Sequence, residues 1–178
     1  MLDHLNARPA KQIRVVIIGA GGFVGGAIQK QLEADGVMTL PLRRQELDLL
    51  ADGSSAKLKG LLRATDSVVM VSAIAPAKTV PMLMQNLRMV ETVCAALAET
   101  EIAHLVYISS DAVYVDDANP VTERSLSAPS TVHGMMHAAP MLRCAKTNAV
   151  MLATSSTSTW SRRSSPSPKI AMGSPLAA

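Results

Sequence analysis

An apolar, β-branched run that ends in regularly spaced glycines constrains this chain more than any other feature. Residues 15–25 read V-V-I-I-G-A-G-G-F-V-G, with glycines at 19, 22 and 25. A continuous apolar strand is expected in a parallel sheet covered on both faces. A strand that turns without side chains onto a helix brings backbone N–H groups against a pyrophosphate at the helix N-terminus. In that arrangement Gly19 permits the turn, Gly22 lets the backbone approach phosphate, and Gly25 lets the helix lie close to the strand. Phe23 and Val24 belong to the same cofactor-binding stretch, although their side chains suit packing better than ligand contact. The glycine spacing alone also occurs in ordinary turns; its place between a strand and a helix gives it meaning.

The rest of the chain alternates between the two periodicities. Strand patterns cover residues 13–18, 37–42, 67–72 and 104–109, with a short extended piece at 46–49. Helix patterns run from 22 to Asp35-Gly36, over 54–63 and over 79–100. A last helical segment runs from 133 toward 150, where Pro140 is expected to kink or restart it. Pro41 weakens the second strand by removing a ladder donor. This alternation predicts an α/β fold, a Rossmann-like doubly wound parallel sheet. With 178 residues, 48% of them hydrophobic, one domain with a real core is expected. One Trp, two Tyr and one Phe leave that core to Val, Ile, Leu, Ala and Met. After about residue 152 the sequence becomes rich in Ser, Thr, Pro and Arg and loses any period. Such a segment cannot offset its ordering entropy by burial. The expected division is a dinucleotide-binding domain over 12–150 and a disordered low-complexity tail over 151–178, with Trp160 an incidental exposed residue.

The net charge of +3 does not describe a basic face. Residues 1–120 carry 11 Lys/Arg against 13 Asp/Glu, whereas residues 121–178 carry six against one. With no aromatic residues interleaved among the basic ones, nucleic acid is not an expected partner. Cys94 and Cys144 form no metal-type cluster, so two reduced thiols are expected. The N-terminus lacks an apolar signal core and no run reaches transmembrane length. A cytoplasmic protein without a membrane partner is the expectation.

The end of the second strand selects between nicotinamide dinucleotides. A carboxylate there would bond the ribose 2′-hydroxyl and repel a 2′-phosphate. Leu42-Arg43-Arg44 holds this place, and two guanidiniums suit a 2′-phosphate, which favours NADP over NAD. The alternative is that Arg43 and Arg44 are solvated loop charges. Asp48-Leu49 is placed to meet the adenine edge; Asp48 equally suits a cap for the helix that follows.

Several motifs together resemble the extended short-chain dehydrogenase/reductase family, the NAD(P)-dependent sugar epimerases, dehydratases and reductases. They are G-A-G-G-F-V-G (19–25), D-S-V-V-M-V-S-A (66–73), Asn86, Y-I-S-S-D-A-V-Y (107–114), P-V-T-E (120–123) and P-S-T-V-H-G-M-M-H (129–137). The stretch L-R-R-Q-E-L-D-L (42–49) is similar to the deoxysugar-reductase branch. The resemblance covers about residues 13–145 and adds Ser72 and Ala73 to the cofactor-binding set. It also implies a possible homodimer and a sugar-nucleotide substrate.

For catalysis the resemblance implies that Ser110 orients the substrate oxygen. Where the family has its proton-transferring Tyr and its ribose-holding Lys, this chain has His133 and His137. Their i, i+4 spacing keeps both on one helix face. Imidazole can do acid–base work near neutral pH, but a neutral His137 lacks the fixed charge of Lys. A metal pair is disfavoured because no third ligand is evident. Asp111 matches the acid of the 4,6-dehydratases, but Ala112 stands where those enzymes have Glu, which disfavours that branch. Family members continue with further strands and a substrate lobe, so the sheet is expected to be incomplete on its C-terminal side. Loss of the family pattern around residues 140–150 suggests a truncation, or a shifted reading frame after about Ala139. The expected function is hydride transfer to or from a sugar or nucleotide-sugar, with Ser110 orienting the oxygen and His133 handling the proton. Against it stand a non-catalytic dinucleotide-binding module or truncated pseudoenzyme, and a fragment left with an unpaired strand edge.

Overall fold

The computed structural model describes residues 12–115, 121–122, 125–143 and 149–154. Pro120, Glu123, Cys144, Trp160 and the rest of the expected tail after 154 lie outside the described residues. Five strands alternate with helices: β1 (Arg14–Ile18), α1 (Phe23–Ala34), β2 (Met38–Leu42), α2 (Ser54–Leu61), β3 (Asp66–Met70), α3 (Val80–Ala98), β4 (His104–Ser110), α4 (Val132–Arg143) and β5 (Ala149–Thr154). The strands form one sheet in the order β2-β1-β3-β4-β5, and every pairing is parallel. Pro41 sits opposite Ile17 in the edge strand β2, where a missing donor is tolerated.

The apolar runs of β1 and β3 are buried throughout because helices cover both faces. On one face Val16, Ile18, Val68, Met70, Leu105 and Tyr107 join Leu58 of α2 and Met89, Val90, Val93 and Leu97 of α3. On the other, Val15, Ile17 and Val69 meet Ile28 and Leu32 of α1. This is the doubly wound arrangement that the alternating patterns imply. Each aliphatic side chain fully withdrawn from water in these layers stabilises the fold by about 1.5–3 kcal/mol.

At the opposite end of the sheet from the glycines, Arg14 and Asp66 are register partners across β1 and β3. Arg14 Nε donates to Asp66 Oδ1 at 2.8 Å and its Nη2 donates to Oδ2 at 2.6 Å. The same Nη2 donates to the Leu61 carbonyl, and the Arg63 amide donates to Oδ2, both at 2.8 Å. Asp66 is 0% exposed and Arg14 8%. The pair ties the start of both central strands to the end of α2.

Three expectations change. Residues 46–49 are not a strand: the Leu47 amide bonds back to the Arg43 carbonyl in a turn. Their alternation is real, since Leu47 and Leu49 are both buried, but turns deliver them to the core. The last helix is not broken at Pro140, which lies inside α4, fully buried. That helix ends at Arg143, and β5 pairs with β4 from Leu105↔Ala149 to Ser110↔Thr154, so the sheet runs past residue 150.

Candidate functional site

The carboxyl ends of β1, β2 and β3 open onto a cleft of about 470 Å³, lined by Gly19, Gly21, Gly22, Arg43, Arg44, Asp48, Leu49, Ser72 and Ala73 among others. Open α/β sheets bind ligands at this end, where neighbouring crossovers leave in opposite directions. The turn at the tip of β1 depends on glycine for two separate reasons. Gly19 has φ +100°, and a Cβ there would stand 2.8 Å from the Ser72 amide nitrogen. At Gly25 a Cβ would come within 2.3 Å of the Gly19 carbonyl oxygen, so α1 lies against the turn as closely as backbone allows.

Gly22 is the N-cap of α1 and offers no side-chain cap, and the first turn of the helix holds no acidic residue. The leading amides of such a helix lack intrahelical partners, which makes its start a site for an anion. Phe23 is 94% exposed and Val24 41% exposed, which corrects the view of them as packing residues. Neither lines the cleft, nor does Gly25, whose place is beneath the turn.

At the end of β2 the two arginines do different things. Arg43 lays its stem over Gly21 and donates from Nη2 to Gln29 Oε1 at 3.2 Å. Arg44 Nε pairs with Asp48 Oδ2 at 3.2 Å at the surface. Asp48 Oδ1 accepts from the Leu50 amide at 3.0 Å. That bond, helped by Arg44, holds the Asp48 carboxyl below its ordinary range. Asp48 does not cap α2, whose N-cap is Gly53. Asn86, a buried polar residue of α3, braces the cleft wall at Ile74. Its Oδ1 accepts from the Ile74 amide at 2.8 Å, and its Nδ2 donates to the carbonyls of Ile74 and Met82 at 3.1 and 2.8 Å.

The second cluster lies where α4 meets the end of β4. Ser110 caps the 3-10 turn Asp111–Val113: its Oγ accepts from the Ala112 amide at 3.2 Å and donates to Asp111 Oδ1 at 3.0 Å. The His133 and His137 rings meet edge to face with centroids 4.8 Å apart. The Ala77 amide donates to His133 Nδ1 over a long 3.4 Å. His137 is buried, with Nδ1 3.1 Å from the Tyr107 hydroxyl. Sequence reasoning did not single out Tyr107, because a tyrosine inside a strand motif looks like core.

Burial first, then neighbouring His133, push His137 down to about 4, while Asp111 pulls it up. The ring is therefore neutral at pH 7 and brings no fixed charge to the site. An unfolded chain carries this histidine near the usual 6.5, so below that pH the unfolded state binds the extra proton. Stability attributable to His137 is complete above pH 6.5 and falls as pH drops toward 4. The expected loss is about 1–2 kcal/mol between pH 7 and pH 5. Urea unfolding at both pH values should show it, and His137→Gln should flatten the difference; an equal slope in the variant contradicts the burial of this ring.

Among the described residues no cluster of three or more His, Cys, Asp or Glu could hold a metal ion. Nor is any helix among them long and apolar enough to cross a membrane.

Residues 15–146 match the NAD dependent epimerase/dehydratase family. No curated protein sequence matches the chain. Among solved structures, a dTDP-4-dehydrorhamnose reductase from Bacillus anthracis in complex with NADP is similar over 82% of this chain and 54% of its own, with a TM-score of 0.68 and 21% identity. A GDP-6-OMe-4-keto-L-xylo-heptose reductase from C. jejuni is similar over 80% and 46%, with a TM-score of 0.66 and 20% identity. A UDP-N-acetylglucosamine 4-epimerase from Bacillus cereus is similar over 79% and 52%, with a TM-score of 0.66 and 21% identity. The chain thus spans about half the length of these structures, and at such identities the likeness is one of fold.

Proposed function

Because the chain belongs to the NAD dependent epimerase/dehydratase family, we propose that its cleft binds a nicotinamide dinucleotide, and that it acts as an oxidoreductase on a sugar or nucleotide-sugar by hydride transfer. One observation carries this reading: a glycine turn whose one methyl, on Ala20, is buried, a helix start without a cap and a cleft coincide at one end of the sheet. These features fit the group, since a diphosphate needs close backbone approach and unpaired amides. When bound, the dinucleotide supplies hydride exchange with a substrate carbon. The nucleotide-sugar class is taken from the relatives named above.

Ser110 is the residue to orient the substrate oxygen, and doing so requires it to exchange its bond to Asp111. His133 is the residue to handle the proton. NADP is favoured because Arg43 and Arg44 border the cleft and the two carboxylates beside them are already engaged, Glu46 by the Arg43 amide and Asp48 by Arg44. A guanidinium–phosphate bond contributes about 1.5–3 kcal/mol when charge-assisted.

Titration of the purified chain with NADPH and NADH, followed by nicotinamide fluorescence, tests this. NADPH should bind more tightly, and the Arg43→Ala, Arg44→Ala double variant should lose about tenfold or more for NADPH with little change for NADH. Absence of binding by either dinucleotide defeats the proposal. A second reading, a dinucleotide-binding module without turnover, is favoured by the neutral His137 in the place of a lysine. NADPH binding with no oxidation by any sugar carbonyl supports that reading.

A further inference from the structure

Tyr107 and His137 are 30 residues apart in sequence, on β4 and α4, and their polar atoms meet inside the protein. Tyr107 is 7% exposed, as is His137. A phenol is the more acidic partner of such a pair, and a bare imidazole nitrogen the more basic lone pair, so the hydroxyl donates and Nδ1 accepts. We propose that Tyr107 is a positioning residue that fixes His137 as its neutral Nε2–H tautomer, turning the ring into a directed hydrogen-bond donor for an oxygen acceptor.

The geometry carries this in two ways. The ring is held by the phenol, with the Tyr107 and His137 centroids 6.2 Å apart, and by the edge-to-face His133 at 4.8 Å. With Nδ1 committed as an acceptor, a neutral imidazole carries its only proton on Nε2. Burial keeps the ring uncharged, so with Nδ1 bonded to Tyr107 the Nε2–H is its one remaining donor. On the dinucleotide reading above, the acceptor is a hydroxyl of the nicotinamide ribose: the ring supplies the hydrogen bond of the family's lysine without its charge. That last step rests on the proposed function; the tautomer does not.

Nitrogen-15 NMR of imidazole-labelled protein at pH 7, without ligand, tests the tautomer directly. Wild type should show His137 protonated at Nε2 and bare at Nδ1. Tyr107→Phe, which keeps the ring and removes one oxygen, should show a mixture of tautomers at His137 and weaken NADPH binding about threefold to tenfold. A proton on Nδ1 in wild type overturns the proposal, and this needs no variant to fold. A folded Tyr107→Phe with an unchanged His137 tautomer overturns it as well. If the tautomers behave as expected but NADPH does not bind at all, the positioning role stands and the dinucleotide reading fails.

Discussion

Asp66→Ala is expected to destabilise the chain by about 3–5 kcal/mol, the range for removing one partner of a buried ion pair. The charge left behind is the Arg14 guanidinium, which loses both bonds to the carboxylate and keeps the Leu61 carbonyl. The Arg63 amide loses its acceptor too. For a chain of this length the corresponding drop in Tm is about 10 °C, measurable by circular dichroism. Replacing both partners by leucine should cost much less, since no orphan charge is then buried. A loss under about 1 kcal/mol for Asp66→Ala would show that water reaches the pair.

Gly25→Ala is expected to weaken dinucleotide binding severely. One methyl group placed 2.3 Å from the Gly19 oxygen and 2.9 Å from the Ala20 Cα meets backbone on both counts, so α1 must move away from the turn. Overpacking of this kind costs about 1–3 kcal/mol in stability. On the proposed reading the effect on binding is larger, because the displaced helix start would be what meets the diphosphate; a rise in Kd of about 100-fold is expected for a shift of this sort. Gly26→Ala is the internal comparison: its Cβ would sit 3.6 Å from the Ala20 oxygen, in ordinary contact, and binding should be retained. Equal behaviour of the two variants would remove close packing of α1 from the account.

What the sequence discloses here follows the range of the forces involved. The strand, turn and helix around Gly19 are local, so their pattern is visible in eleven residues. The buried runs of β1 and β3 are visible for the same reason, since covering on both faces makes them apolar throughout. Residues 46–49 mislead because alternating leucines look alike whether a strand or a pair of turns carries them inward. Pro140 misleads because burial of the ring and packing of α4 against its neighbours outweigh one missing helical bond. In the candidate site, the arginines and glycines are found by counting along the chain. The bond from Tyr107 to His137 is not, because only the crossover from β4 through α4 brings them together. The turn at Asp48 is legible only halfway: its carboxylate has a capping role, but for Leu50 rather than for α2.

Asn86 has a further consequence for kinetics. By bonding both the amide and the carbonyl of Ile74, it fastens the segment after β3 to α3 before anything arrives. A visitor therefore meets a rigid partner on that flank and loses little ordering entropy there. Association ought to be a single fast phase governed by diffusion and orientation, with differences between nucleotides residing in their rates of departure.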